Sequence, residues 1–285
     1  PENVEALMAT GFAAWIDDQF SRPVGYLQPF TEYAATQIPE FYTDTKMAAW
    51  WNRAMGVPSL IPGGPAQLPD PLRQRMAYAL SQILVISDRP ETLAVNPIGM
   101  ANYYDMLLEH ALGNYRDLLL DVTLHPGMGF YLSHLQNRKP DPINNIFPDE
   151  NYAREIMQLF SIGLWELNQD GTRRLDTNGL PIPTYTNEDI TQFARVFTGL
   201  SYGPDSTPAF LNAPQNFLAP MKMWDDQHDV DPKTLLNGVA LPARTPSSPN
   251  DGSAGLLDLN DAIDNLFWHT NTAPFIGKQL IQRFV

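Results

Sequence analysis

The stretch Asp70-Pro71-Leu72-Arg73-Gln74-Arg75-Met76-Ala77-Tyr78-Ala79-Leu80-Ser81-Gln82-Ile83-Leu84 decides the fold class. An aspartate can take up the free amide N–H groups of a helix start, and proline suits the first helical position, where its missing N–H is no loss. Leu72, Met76, Leu80, Ile83 and Leu84 then recur at close to helical spacing and predict one buried stripe.

The same grammar repeats in both directions. Pro1 to Arg22 reads as helix, with Leu7, Phe12, Trp15, Ile16 and Phe20 near helical spacing and Gly11 as a break. Thr43 to Met55 is a short helix carrying Met47, Trp50 and Trp51. Prolines and glycines over 56–69 predict a loop. Asn102-Tyr-Tyr-Asp105 and Asn114-Tyr-Arg-Asp117 open two similar segments, read as consecutive helices with Gly113 between them. His125-Pro126 starts another helix. Asp149 caps one that runs to about Ser161, with Tyr152, Ala153, Ile156, Met157 and Phe160 inward and Gly163 at its end. Thr186 opens the next, with Asp189 placed for a capping box and Ile190, Phe193, Ala194 and Phe197 on its core face. Two short strands are expected near 221–224 and 233–236, and two last helices over 255–268 and 273–285. Between 164 and 185, Gln169-Asp-Gly171 and Thr177-Asn-Gly179 are hairpin-turn signals. The expectation is a mainly α, irregular multi-helix single domain over 1–285 with a small β-hairpin insertion at 164–185. Strand and helix never alternate regularly, which argues against a doubly wound sheet.

Composition narrows the function classes. With 18 Lys and Arg against 32 Asp and Glu, the formal charge is −14. Nucleic-acid binding needs clustered cations, and none form a stripe here, so no nucleic-acid partner is expected. The longest aliphatic run is Ile83-Leu84-Val85-Ile86, far short of the roughly 20 residues of a bilayer span, so no membrane span is expected. Zero cysteines exclude disulfides, zinc–thiolate sites and a cysteine nucleophile. Pro1 in place of Met, and a helical pattern still running at Val285, suggest a piece of a longer protein. Phosphate loops, Gly-x-Ser-x-Gly elbows and His-Glu-x-x-His helices are missing from the sequence.

Three constellations carry chemistry. In the helix after Asp149, residues Asn151, Arg154, Glu155 and Gln158 form one polar stripe opposite the core face, and Glu150 stands four residues before Arg154. Either this is a site wall, with Glu150 or Glu155 as acid or base and Arg154 holding a polar substrate, or it is an ion-pair network docking the helix. On the following helix Arg195 is placed to meet Glu155 across a helix pair. The loop Trp224-Asp225-Asp226-Gln-His228-Asp229-Val-Asp231-Pro-Lys233 concentrates four aspartates and a histidine. His228 and Asp229 are candidate proton carriers and Lys233 a substrate positioner. Asp225, Asp226 and Asp231 offer hard oxygen ligands to a divalent cation, against the plainer reading of a solvated acidic loop. Glu166-x-Asn168-x-Asp170-Gly171 imitates a calcium loop only in part, since its twelfth position is Thr177.

Pro71 to Ser87, Asp149-Glu-Asn-Tyr-Ala-Arg-Glu155 with Gln158-Leu-Phe-Ser-Ile-Gly163, Thr186-Asn-Glu-Asp-Ile190 with Ala194-Arg-Val-Phe-Thr-Gly199, and His228-Asp-Val-Asp-Pro-Lys-Thr-Leu-Leu236 occur in this order. Together they resemble the bacterial family called domain of unknown function 1800. Asp149 stands where the family often has Asn, and Asn237 where it often has Gly. The resemblance implies an exported protein, periplasmic or secreted, often encoded beside a sulfatase-like partner. Its motif positions fall on Glu150, Asn151, Arg154, Glu155, Arg195, His228, Asp229 and Lys233. Two functions stay open. One is a hydrolase acting on an extracellular polymer such as a polysaccharide, with Glu150, Glu155, His228 and Asp229 as proton-transfer groups and Asn151, Arg154, Arg195 and Lys233 as substrate positioners. The other is a non-enzymatic binding or scaffold module, suggested by exposed-looking Trp50, Trp51, Trp165 and Trp224.

Overall fold

The computed structural model describes residues 2–37, 44–64, 66, 68–204, 206, 209–248 and 250–284. The expected Thr43 helix start lies outside them. Among the described residues the chain is mainly α-helical, with thirteen α-helices and two antiparallel two-stranded sheets, as the patterning implied. It divides into two compact units, Pro1–Asn114 and Tyr115–Val285.

The first unit holds α1 (Glu2–Thr10), α2 (Phe12–Ser21), α3 (Gln28–Gln37), α4 (Asp44–Ala54), α5 (Pro71–Ser81), α6 (Glu91–Ala94) and α7 (Pro97–His110). Gly11 separates α1 from α2, at a φ of 82°. The apolar spacing on these two helices does not mark a buried face, since Phe12, Ile16 and Phe20 are exposed. Helix α7 is central and packs on α3, α4, α5 and α6. Leu27, Ala49 and Ala101 form a core cluster, with Phe30, Trp50, Leu60 and Tyr104 against it.

Helix α5 is rotated from the expected stripe. Arg73 and Gln74 point inward, while Leu72 and Met76 are only half-buried. Hydrogen bonds explain it. Gln74 Nε2 donates to Gly25 O (3.0 Å) and Arg73 donates to Leu108 O (3.2 Å). Asp70 does not cap α5 with its side chain. Its carboxylate accepts from Gly25 N (3.0 Å) and Gln74 Nε2 (3.2 Å), so it pins the chain entering α3 instead. The polar network prevails over apolar spacing because it supplies donors to the buried Gly25 O, Leu108 O and Asp70 carboxylate, although Arg73 Nε and Gln74 Oε1 stay without a hydrogen bond.

The second unit holds α8 (Tyr115–Leu124), α9 (Pro126–Tyr131), α10 (Asn151–Gln158), α11 (Asn187–Val196), α12 (Ser253–Phe267) and α13 (Thr272–Phe284). Strand β1 (Leu200–Ser201) pairs with β2 (Lys222–Met223), and β3 (Lys233–Thr234) with β4 (Ala240–Leu241). Its core includes Tyr152, Ile156, Phe160, Phe193 and Phe197, the inward faces expected of α10 and α11. Helix α11 carries the anticipated capping box between Thr186 and Asp189. His125 starts α9 by accepting from Gly127 N at 3.0 Å. The 164–185 hairpin is held by three isolated antiparallel bridges, Trp165 with Pro183, Leu167 with Arg173 and Leu175 with Pro181. Gly171 and Gly179 turn at positive φ within it.

Candidate functional site

Helix α10 is aimed from its first turn. Asn137, buried, accepts from Asp149 N through Oδ1 (2.9 Å) and donates to Asp149 O through Nδ2 (3.2 Å). The Asp149 carboxylate then takes the Asn151 amide at 2.8 Å, in place of an N-cap one residue later. The polar stripe expected on this helix therefore faces outward. Asn151 is exposed, and Arg154, Glu155 and Gln158 are half-buried.

The stripe continues onto α11. Glu150 accepts from Thr191 Oγ1 at 3.0 Å and pairs with Arg154 at 3.4 Å. Among the described residues Glu155 has no arginine within ion-pair distance, contrary to the expected contact with Arg195, which binds Asp229 instead. Its Oε2 is buried without a hydrogen-bond partner. Burial pushes the Glu155 carboxyl above its ordinary range, and the nearby Arg154 charge offsets part of that rise. Tyr185, at the end of the hairpin, donates to Gln158 Oε1 at 3.2 Å. Burial raises the Tyr185 phenol, Arg154 pulls it back and Glu155 adds to the rise, so these three side chains share one electrostatic environment.

One turn further along α11, Arg195 forms a fork on Asp229, Nε to Oδ2 at 2.6 Å and Nη2 to Oδ1 at 3.2 Å. A two-point contact of this kind fixes geometry as well as charge. Thr198 Oγ1 accepts from Asp229 N at 2.9 Å and donates to Arg195 O at 2.7 Å, which locks loop and helix together.

Behind this layer lies a group that sequence reading passed over, Asp258 on α12. It is fully buried. Its Oδ2 accepts from Lys233 Nζ (2.6 Å) and faces His228 Nε2 (3.2 Å), and its Oδ1 accepts from Arg244 Nε (2.7 Å). His228 is also fully buried, with Nδ1 at 2.9 Å from Thr198 O. Lys233 further donates to the carbonyls of Asp229 and Asp231. Burial on its own would raise the Asp258 carboxyl, but hydrogen bonds from His228, Arg244 and Lys233 outweigh it and hold the group at about 2. Where a solvent-reachable acid–base loop was expected, the structure places His228, Asp229 and Lys233 inside an ion network, with both His228 nitrogens turned to protein oxygens.

The aspartates of the loop separate rather than converge. Asp225 is buried and accepts from Gly255 N (2.8 Å) and Ala254 N (3.3 Å), where it serves the start of α12. Asp226 and Asp231 are exposed. Among the described residues no three His, Asp or Glu side chains are gathered as a metal-holding group. Trp224 is buried rather than exposed, because its amide reaches back to Gly199 O at 2.7 Å and draws the loop inward.

Gly199 is the hinge pin of this arrangement. It turns at a φ of 88°, and a Cβ there would lie 2.8 Å from Trp224 O and 2.9 Å from His228 N. Backbone atoms cannot step aside as a flexible side chain can. Gly199→Ala is expected to destabilise the protein by about 2–3 kcal/mol, measured as a lower urea midpoint with unchanged slope.

The four ordered sequence blocks thus map onto α5, α10, α11 and the loop that meets α12. A family model described as protein of unknown function (DUF1800) matches residues 1–285. The chain belongs to that family. No curated protein and no solved structure matches it. In this DUF1800 chain the motif residues sort into two layers. His228, Asp229 and Lys233 form a buried frame to which the half-buried Arg195 is tied, and Glu150, Asn151, Arg154 and Glu155 form the outward surface beside it.

Proposed function

We propose that the protein is an exported hydrolase acting on an extracellular polymer such as a polysaccharide, with Glu155 as its proton donor. The observation that carries this reading is the Glu155 carboxyl, half-buried, with one oxygen lacking any partner and its proton held more tightly than usual. A general acid near neutral pH needs such a carboxyl. Glu150, five residues before Glu155 and paired with Arg154, which lies between them in sequence, is the second carboxylate that glycoside hydrolysis requires. In the proposed step Glu155 gives its proton to the leaving oxygen as the glycosidic bond breaks. Glu150 takes a proton from the attacking water. Arg154 and Asn151 position the substrate. His228, Asp229 and Lys233 act through the frame and touch no substrate. A secreted or periplasmic setting and a sulfatase-like partner are part of the same proposal.

Glu155→Gln keeps the shape of the side chain and removes its proton. Turnover of a screened polysaccharide panel is expected to drop at least about 100-fold with an unchanged melting temperature. Wild-type rates in the variant would end the catalytic reading.

A second reading, a non-enzymatic binding module, is favoured by a different observation. The first unit carries an open cleft of about 400 Å³ faced by Trp50, Trp51, Tyr78 and Tyr104. Trp50 is held there by its Nε1 donating to Tyr104 Oη at 2.8 Å, and Trp51 remains largely exposed. Polymer retention without turnover, indifferent to Glu155→Gln, would select this reading.

A further inference from the structure

The hairpin that ends at Tyr185 also builds a second feature in the same unit. A cleft of about 230 Å³ lies between the hairpin and α13, with Trp165, Arg173, Phe275, Lys278, Gln279 and Gln282 on its walls. Its size suits a single small ring rather than a drug-sized ligand.

Its walls carry two cations. Acids outnumber cations 32 to 18, and among the described residues about half of the cations have an acid within ion-pair distance. Arg174 does, on Glu166 at 2.6 Å. Arg173 and Lys278, among the described residues, form no ion pair. Asp170 is close enough to feel Lys278, but its carboxylate is engaged by the Thr172 hydroxyl (2.6 Å) and amide (2.9 Å). Lys278 is also held in place. Its Nζ donates to Gly171 O at 3.1 Å, and its stem runs so close to Gly171 that a Cβ there would lie 3.2 Å from Cδ. The Arg173 guanidinium sits 5.9 Å from the Trp165 ring centroid.

The hydroxyl-reading groups are present as well. Gln279 Oε1 accepts from Arg283 at 2.6 Å, which leaves its amide N–H groups free to donate. Gln282 follows three residues on, on the same helix face. The cleft therefore combines an aromatic wall, two cations without acids and two amides.

We propose that this cleft binds an anionic sugar ring, with the ring against Trp165, its carboxylate or sulfate between Arg173 and Lys278, and its hydroxyls on Gln279 and Gln282. The inference deepens the proposed function by naming the polymer class as acidic, and it rests on that reading only for calling the sugar a substrate. A planar guanidinium beside an ammonium recognises either anion.

Calorimetric titration of the full chain with trigalacturonate, with a sulfated galactan oligosaccharide and with neutral cellotriose tests it. At least one acidic probe is expected to bind, more weakly as salt rises. Arg173→Gln with Lys278→Gln should weaken that binding about tenfold or more. Both positions are on the surface, so the double variant should melt like the wild type. The relative strength of the two acidic probes identifies the anion. Equal binding of cellotriose, unchanged affinity in the double variant, or no binding of either acidic probe would overturn the assignment. Binding is read without turnover. A Glu155→Gln protein that loses nothing in turnover but binds trigalacturonate removes only the catalytic reading. Glu155-dependent cleavage of a neutral polymer without acidic binding removes only the cleft.

Discussion

Asp258→Ala is expected to cost the Tyr115–Val285 unit roughly 3–5 kcal/mol, the range for breaking a buried charge cluster by removing one partner. The reason is the company that Asp258 keeps. Lys233 is fully buried and Arg244 largely so, and both aim at the same carboxylate, with His228 beside them. Without it Lys233 remains a cation in a region that water does not reach, with the carbonyls of Asp229 and Asp231 as its remaining oxygen partners among the described residues, while Arg244 keeps Asp261. In thermal melts a loss of this size should appear as a midpoint lower by about 10 °C. Adding Lys233→Met to Asp258→Ala should recover part of it, since the most deeply stranded charge then disappears. The pH dependence has a definite sign. The Asp258 carboxyl is held at about 2 in the folded chain, below its unfolded value of ~4. Its contribution is therefore complete above pH ~4 and is lost as pH falls through about 2. An Asp258→Ala protein that melts with the wild type would show that the cluster gives only specificity.

The sequence made some of this legible and hid the rest for physical reasons. Helices α10 and α11 were readable because their apolar residues obey the helical period and the polar stripe of α10 faces outward. Helix α5 was located but given the wrong face, since Arg73 and Gln74 satisfy backbone groups of distant segments and spacing carries no such information. The echo of Asn102-Tyr-Tyr-Asp105 in Asn114-Tyr-Arg-Asp117 makes the same point. Asp105 is buried and receives two backbone amides, whereas the Asp117 side chain stays mostly exposed beside Arg116. At the site, Glu150, Arg154 and Glu155 were found through helical spacing. The burial of His228 was missed because a run of aspartates reads as solvated loop, and the cations that neutralise Asp258, Arg244 and Lys233, lie 14 and 25 residues away from it. The one available signal for Asp258 was a lone acid inside Leu256-Leu257-Asp258-Leu259, where an uncompensated charge would be costly.

Asp105 should make the stability of the Pro1–Asn114 unit fall as pH rises, the opposite of the usual behaviour of an aspartate. Its carboxylate accepts from Leu27 N at 2.7 Å and Gln28 N at 2.8 Å, and so holds the entry to α3 against α7. Burial pushes the group up to about 7. The two amides and Arg53 oppose that rise, and Glu109 adds to it. The folded chain therefore holds this proton more tightly than the unfolded chain does. Stability from it is complete below pH ~4 and is lost as pH rises through about 7, a change of roughly 3–4 kcal/mol. The second unit runs the other way. His125 and His134 are buried, and burial lowers them to about 3 and about 4. His134 is stacked on Tyr152 at 3.8 Å, with Nε2 on Thr123 O and Nδ1 unpartnered, so a second proton has no acceptor. These histidines stabilise the fold above pH ~6.5, and that contribution fades as pH falls toward their folded values. A raw profile of the whole chain mixes the two trends, and Asp105→Asn separates them. The variant lacks the titrating proton, so the wild-type-minus-variant difference in unfolding free energy should decline from pH ~4 to about 7 and level off above it. Urea titrations at five pH values across that range measure it directly. A difference that stays flat would mean that Asp105 ionises freely inside the fold, and one that climbs would mean that its two amides outweigh its burial.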